Sequence, residues 1–174
     1  MRFIGITGGV GAGKSEILGY LAKKPDTRVM LADEIAHELM SPGTACYDKI
    51  SETFGTEDIF LPQGGLDRGK LAAVIFSDEA KRRQMNAIVH PAVRVYVEKE
   101  AAREKQGGKR KLLVLEAALL IEEHYDEICD ELWYIYTRED IRRERLMASR
   151  GYSTEKVDRI FASQLTEEVY REHC

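Results

Sequence analysis

The chain has 174 residues, of which 44% are hydrophobic and 32% are charged, and its formal net charge at pH 7 is −4. This size and composition predict one soluble domain with a real core, with room for an inserted lobe. The negative charge argues against a nucleic-acid-binding protein, and no apolar run is long enough to span a bilayer, so no membrane association is expected.

Short apolar runs alternate with helical patterns along the chain, which predicts βαβ units around a parallel sheet. A helix of about ten residues follows the first run and ends near Pro25. After the second run, Asp33 precedes a helix over Glu34–Met40, which Ser41-Pro42-Gly43 ends. The four runs that predict strands are Arg2–Thr7, Arg28–Leu31, Lys111–Leu115 and Leu132–Tyr136.

Residues 44–107 contain no strand pattern and predict helices only, which is too long a connection for two parallel strands. Pro91 suits the first position of a helix, so it divides the last predicted helix pair. The predicted helices cover about 44–53, 68–76, 79–89 and 91–106. We interpret this stretch as an acceptor-binding insert, and 1–43 with 108–174 as the core domain.

Two further helices are predicted after the fourth strand. Thr137 and Asp140 resemble a capping box for a helix that runs to about Ser149. Gly151 breaks that helix, and Ser153 caps the next. The second helix carries apolar residues at helical spacing, namely Val157, Ile160, Phe161 and Leu165.

The stretch Gly8–Ser15, called the P-loop below, matches G-x-x-x-x-G-K-[ST] in full and lies between a strand and a helix. Glycines let successive backbone N–H groups approach phosphate oxygens, and the helix that follows points its positive end at the anion. Lys14 would contact the β- and γ-phosphates, and the Ser15 hydroxyl would ligate Mg²⁺. The predicted ATP-binding residues here are Gly8, Gly11, Ala12, Gly13, Lys14, Ser15 and Glu16.

Two acidic residues each have a structural and a functional interpretation. Glu16 adjoins the phosphates, where a carboxylate is repulsive unless it points away, so an exposed helix position is the favoured interpretation. Asp33 is a good helix N-cap, but it also follows the carboxyl end of a strand, where ligands bind. We therefore predict that Asp33 accepts a proton from a hydroxyl acceptor, either instead of capping or as well as capping.

Four arginines on the helix after the fourth strand predict a lid over about 138–152, with Gly151 as its hinge. Phosphoryl transfer spreads negative charge over the moving group, and mobile arginines compensate for it. The alternative is a solvated helix face with pairs such as Glu139 with Arg143. The four are Arg142, Arg143, Arg145 and Arg150, with Arg145 predicted as catalytic and Arg143 and Arg150 as ATP-binding.

The whole chain resembles the dephospho-coenzyme A kinase family. Beyond the P-loop, the resemblance rests on the order and spacing of short motifs along the chain. They are Ile6–Gly9, Ala32-Asp33 with Ile35–His37, Leu66–Arg68 with Ile75-Phe76, His90-Pro91, Leu119–Glu122, Arg145–Met147 with Arg150, and Gln164. The chain departs from the family at Leu31, where the family has a first Asp, and at Ala118 and Ile121. The spacing of its lid arginines is also one residue longer, and the family usually continues into a last strand after the position of Cys174.

The resemblance implies a P-loop kinase with a three-layer α/β fold, ATP and Mg²⁺ as cosubstrates, and phosphorylation of the ribose 3′-hydroxyl of dephospho-CoA. It implies that Asp33 is the base, and that His90, Leu119 and Glu122 bind the acceptor. Two rival functions remain open, a kinase for another nucleoside or nucleotide and a nucleotide-binding module without turnover. The absence of an N-K-x-D stretch weighs against a GTP switch.

The cysteines and the N-terminus bear on the compartment. Cys46, Cys129 and Cys174 are odd in number and show no C-x-x-C spacing, as expected of reduced thiols in the cytoplasm. Met1–Ile4 leads straight into the P-loop strand, so no cleavable signal is expected. We expect a monomer or weak homo-oligomer that acts on small molecules.

Overall fold

The chain, described from Met1 to Cys174 in a computed structural model, divides into two units. The first unit consists of Met1–Leu31 and Ala101–Cys174, and the second unit consists of Ala32–Glu100. None of the helices combines the length and the apolar character needed to cross a lipid bilayer.

A four-stranded parallel sheet forms the centre of the first unit. Its strands are β1 (Arg2–Thr7), β2 (Thr27–Leu31), β3 (Leu112–Glu116) and β4 (Glu131–Tyr134), in the order β2-β3-β1-β4. All pairings are parallel, as predicted, and the ends of β2, β3 and β4 differ from the predicted ends by one or two residues. The connection after β1 leads to β2 at one edge of the sheet, and the connection after β3 leads to β4 at the other edge. The crevice for ligands is therefore expected at the carboxyl ends of the adjacent strands β1 and β3.

Eight helices accompany the sheet. They are α1 (Lys14–Ala22), α2 (Ala32–Leu39), α3 (Ala45–Phe54), α4 (Arg68–Ser77), α5 (Glu79–Gly107), α6 (Glu139–Arg150), α7 (Thr154–Ala162) and α8 (Glu167–His173), with one 3₁₀ turn at Tyr125–Glu127. The predicted end of α6 at a glycine is confirmed, because Gly151 adopts a left-handed φ of 61°. Ser153 caps α7, accepting a hydrogen bond from the Lys156 N–H at 3.3 Å.

The first unit has three layers because alternate residues of β1 point to opposite faces of the sheet. On one face, Ile4 and Ile6 pack with Leu18 of α1 in a buried cluster. On the other face, Leu132 packs with Tyr170 of α8, whose ring stacks on Tyr134 at 4.6 Å. The predicted three-layer α/β fold is confirmed.

The second unit is helical and has its own buried core. Thr44 caps α3 by accepting a hydrogen bond from the Tyr47 N–H, and Asp67 caps α4 by accepting from Gly69 and Lys70. Buried members of this core include Ile35, Ile50, Phe54, Ile59, Leu71, Met85, Val89, Val93 and Val97. The structure therefore agrees with the all-helical character predicted for most of this segment.

The predicted break before Pro91 is wrong, because α5 runs without interruption from Glu79 to Gly107. A proline inside a helix removes one hydrogen bond and costs about 3 kcal/mol. Val93 and Val97 follow the proline and are buried with Met85 and Val89, which precede it. Burying each such side chain is worth about 1.5–3 kcal/mol, so the continuous apolar stripe outweighs the cost of the proline.

Two predicted caps are also wrong. The helix α2 begins at Ala32, so Asp33 lies inside its first turn and is not its N-cap. The capping box of Thr137 with Asp140 does not form, because Arg138 is the N-cap of α6 and makes no side-chain cap. The Thr137 hydroxyl instead donates to the carbonyl of Ala12 in the P-loop at 2.8 Å, a partner 125 residues away in the chain. Local spacing cannot reveal such a distant acceptor.

Candidate active site

The P-loop leaves the carboxyl end of β1 in a conformation that requires glycine. Gly8, Gly11 and Gly13 have φ values of 146°, 82° and 98°, which side chains rarely adopt. A Cβ on Gly8 would also lie 2.6 Å from the carbonyl oxygen of Ile135. Gly13 is the N-cap of α1, so the first N–H groups of that helix are available to an anion.

Lys14 begins α1, and its ammonium is held by two groups of the first unit. Its Nζ donates to the carbonyl of Gly8 at 2.7 Å and lies 3.6 Å from Oε1 of Glu116. Glu116 is the last residue of β3 and was not among the predicted site residues. Its position at the carboxyl end of a buried strand was the signal that could have identified it.

Ser15 and Glu16 are both exposed in the first turn of α1. The structure contains no group of three or more His, Cys, Asp or Glu side chains that could enclose a metal ion. Mg²⁺ usually keeps several waters and is held by one or two protein groups together with substrate phosphates. A single serine hydroxyl beside a phosphate-binding loop fits that requirement.

Two arginines of α6 donate to backbone carbonyls of the P-loop. Arg142 donates through Nε to the Val10 carbonyl at 3.0 Å. Arg145 donates through Nη1 to the Gly11 carbonyl at 3.2 Å, with Ala12 at 3.5 Å. The structure therefore brings Arg145 to the P-loop, together with Arg142, for which no individual role was predicted.

The other two arginines of the predicted lid have different partners. Arg143 pairs with Asp158 of α7 at 2.6 Å and with Glu139 at 3.1 Å, and the hydrogen bonds to these carboxylates raise the pKa of its guanidinium. Arg150 lies 6.0 Å from the ring centroid of Tyr152. Their roles in ATP binding remain predictions.

The predicted acceptor residues lie in several elements. Asp33 is exposed in the first turn of α2, His90 lies inside α5, and Leu119 and Glu122 are exposed in the turn after β3. His37 follows Asp33 by one helical turn and lines a groove of the second unit with a volume of about 280 Å³. The other lining residues are apolar or small apart from Arg68, and they are Met40, Ser41, Pro42, Leu61, Gly65, Leu66, Leu71, Ala72 and Ile75.

A parallel sheet whose central strand runs into a complete P-loop, with arginines from a later helix against that loop, is the arrangement of a P-loop kinase. Fold and site thus define the class of the protein.

Comparison with known proteins narrows the class to one family. Residues 2–174 match the family model of dephospho-CoA kinase, and the chain belongs to this family. It is 36% identical over 166 residues to the dephospho-CoA kinase of Symbiobacterium thermophilum, covering 95% of this chain and 68% of the relative. It is 40% identical over 166 residues to that of Oceanobacillus iheyensis, covering 95% and 82%.

Solved structures agree with the fold. TT1252 from Thermus thermophilus superposes with a TM-score of 0.79 at 28% identity, covering 99% of this chain and 85% of that one. The dephospho-CoA kinase from Campylobacter jejuni superposes with a TM-score of 0.64 at 18% identity, covering 100% and 94%. At that identity the second likeness supports the fold alone.

Proposed function

We propose that this chain transfers the γ-phosphoryl group of ATP to the ribose 3′-hydroxyl of dephospho-CoA, giving CoA and ADP in the last step of coenzyme A biosynthesis. The observation that carries the proposal is a complete P-loop, in which Lys14 is hydrogen-bonded to the Gly8 carbonyl, in a chain of the dephospho-CoA kinase family.

We assign the binding of ATP to residues of the first unit. Backbone N–H groups of the P-loop bind the phosphates, and Lys14 exchanges the Gly8 carbonyl for phosphate oxygens when ATP binds. Arg145 makes the same exchange from the Gly11 carbonyl and stabilises the charge that develops on the transferring group. Arg143 and Arg150 support the nucleotide from the same helix.

The acceptor side depends on Asp33, which follows the carboxyl end of β2 by two residues. The 3′-hydroxyl oxygen forms a bond to the γ-phosphorus as the bond from that phosphorus to the β,γ-bridging oxygen breaks. Asp33 receives the hydroxyl proton, and ADP leaves with the bridging oxygen. His90, Leu119 and Glu122 are the further residues that we assign to acceptor binding.

The proposal also includes a magnesium ion and a cellular compartment. The Ser15 hydroxyl would hold Mg²⁺ against the phosphates, where the ion neutralises their charge. Cys46, Cys129 and Cys174 are all free thiols, which supports a reducing compartment such as the cytoplasm. We further propose that the chain works as a monomer or weak homo-oligomer without nucleic acid.

A coupled assay with purified chain, ATP, Mg²⁺ and dephospho-CoA tests the proposal. We expect ADP release that depends on dephospho-CoA, together with CoA formed in equal amount. A panel of nucleosides and nucleotides serves as the acceptor control. ADP release that a nucleoside stimulates and dephospho-CoA does not would identify a different kinase, and nucleotide binding without any turnover would identify a binding module.

A further inference from the structure

The guanidinium of Arg142 connects three separate parts of the first unit. Its Nε donates to the Val10 carbonyl at 3.0 Å, and its Nη2 donates to Oε1 of Gln164 at 2.5 Å. Its Cζ lies 4.4 Å from the centroid of the Phe161 ring. These partners belong to the P-loop, to the segment after α7, and to α7 itself.

We propose that Arg142 is a positioning residue that fixes the shape of the P-loop before nucleotide binds. The inference rests on the proposed function only in taking the P-loop as a nucleotide site. The Val10 carbonyl belongs to the same planar peptide unit as the N–H of Gly11. A hydrogen bond to this carbonyl therefore sets the direction of an N–H group that the loop can offer to phosphate. A loop that is already shaped loses less conformational entropy when it binds its ligand.

The backbone around Gly9 supports this assignment. Gly9 is buried and is not among the glycines with positive φ, so its conformation is open to other residues. The space is not open, because a Cβ on Gly9 would overlap the guanidinium of Arg142. Any side chain at this position would therefore have to displace the guanidinium of Arg142 from the loop.

The chemistry of the contact requires arginine rather than a generic cation. A guanidinium presents donors in a rigid fork and stacks on aromatic rings, whereas a lysine ammonium is a point charge on a flexible stem. Here the fork spans the acceptors on Val10 and Gln164 while its face lies on Phe161. Lysine can replace the charge but cannot make all three contacts together.

The test is a double-mutant cycle between Gly9→Ala and Arg142→Met, in which the affinity for MgADP is measured by calorimetry. Each single variant should weaken binding about tenfold, which corresponds to about 1.4 kcal/mol. The added methyl acts by displacing the guanidinium, so the double variant should bind no worse than either single variant. Losses that multiply to about a hundredfold would show that the two residues act separately and would overturn the proposal.

Arg142→Lys separates position from charge. We expect it to bind MgADP nearly as weakly as Arg142→Met, and full recovery would mean that charge alone matters. In the coupled assay, the KM for ATP should rise about tenfold in Arg142→Met while kcat falls less than threefold, because the P-loop amides hold phosphate in ground and transition states alike. Arg159→Gln, an exposed arginine of α7 that donates to the Glu155 carbonyl, is the matched control and should change neither parameter.

Hydrogen exchange of the P-loop amides tests positioning without any ligand. Arg142→Met should speed the exchange of the amides of Gly8–Ser15, and Arg159→Gln should not. Equal exchange in the unmodified chain and Arg142→Met would overturn the inference even if the chain is an active kinase. Faster exchange and a non-additive cycle in a chain that never phosphorylates dephospho-CoA would support the inference and refute the proposed function alone.

Discussion

The Nζ of Lys14 and the Oε1 of Glu116 lie 3.6 Å apart, and their side chains are only 16% and 17% exposed. Before nucleotide binds, the carboxylate at the end of β3 therefore stabilises the cation that the phosphates require. The same carboxylate competes with the phosphates for that cation, since it is negatively charged and already close to it.

Glu116→Gln should reveal this competition. The amide keeps the shape of the side chain and removes its charge, so we expect ADP in the presence of EDTA to bind about threefold more tightly. The free energy of unfolding should fall by about 1 kcal/mol, because Lys14 loses its ion pair with the Glu116 carboxylate. Calorimetry and urea denaturation measure the two effects, and weaker metal-free ADP binding would contradict the proposed competition.

Asp33→Asn should leave the affinity for MgADP nearly intact and reduce turnover by about 10² or more, because the amide cannot accept the hydroxyl proton. Glu34→Gln is the matched control, since Glu34 is also an exposed carboxylate in the first turn of α2. Steady-state kinetics with saturating dephospho-CoA measure both variants. Wild-type turnover in Asp33→Asn would remove Asp33 from the mechanism.

Leu146→Ala should reduce the free energy of unfolding by about 2–5 kcal/mol, the usual cost of emptying a filled core position. Leu146 is 1% exposed and is the only buried residue of α6. A Cβ on Gly11 would lie 3.3 Å from its Cγ, so this side chain also packs beneath the P-loop. Met147→Ala changes an exposed neighbour and should stay within about 0.5 kcal/mol of the unmodified chain in urea denaturation.

Cys129 should make stability depend on alkaline pH. Burial, reinforced by the nearby carboxylates of Asp130 and Asp126, raises the pKa of its thiol from 9.0 to about 12. The folded chain therefore holds this proton more tightly than the unfolded chain, so the contribution to stability is complete below pH 9 and is lost between pH 9 and about 12.

Denaturation at a series of pH values from 8 to 11 should show this loss, and Cys129→Ala should flatten the slope. Cys174→Ala is the comparison and should flatten the slope less, because that thiol is exposed at the C-terminus, although partial burial raises its pKa in the same direction. Iodoacetamide at pH 8.5 should likewise spare Cys129 in the folded chain, since the thiolate is the reactive form. Rapid alkylation of Cys129 in the folded state would contradict the assignment.

The sheet and the P-loop could be predicted from sequence because their signals are local. Strands buried on both faces are continuous apolar runs, and the P-loop is a contiguous pattern whose glycines meet a backbone requirement. The continuity of α5 could not be predicted, because the burial that overrides Pro91 depends on tertiary packing.

The individual roles of the arginines on α6 could not be predicted from sequence for a related reason. Successive residues of a helix point about 100° apart, so a run of arginines covers most of its circumference. Which arginine meets the P-loop depends on the rotation of α6, and that is fixed by the burial of Leu146. Relative to Leu146, Arg142 points about 40° to one side and Arg143 about 60° to the other. The first therefore reaches Val10, and the second pairs with Asp158.

The hydrogen bond from the Thr137 hydroxyl to the Ala12 carbonyl restricts the movement of α6 over a bound nucleotide. With Arg142 on Val10 and Arg145 on Gly11, the chain from Thr137 to the middle of α6 is attached to the loop at three consecutive carbonyl groups. With these three hydrogen bonds in place, α6 cannot move as a rigid body without deforming the P-loop. We expect Arg145 to reach the phosphates by changing rotamer while Arg142 and the backbone stay in place, so chain mobility should contribute little to the speed of the catalytic cycle.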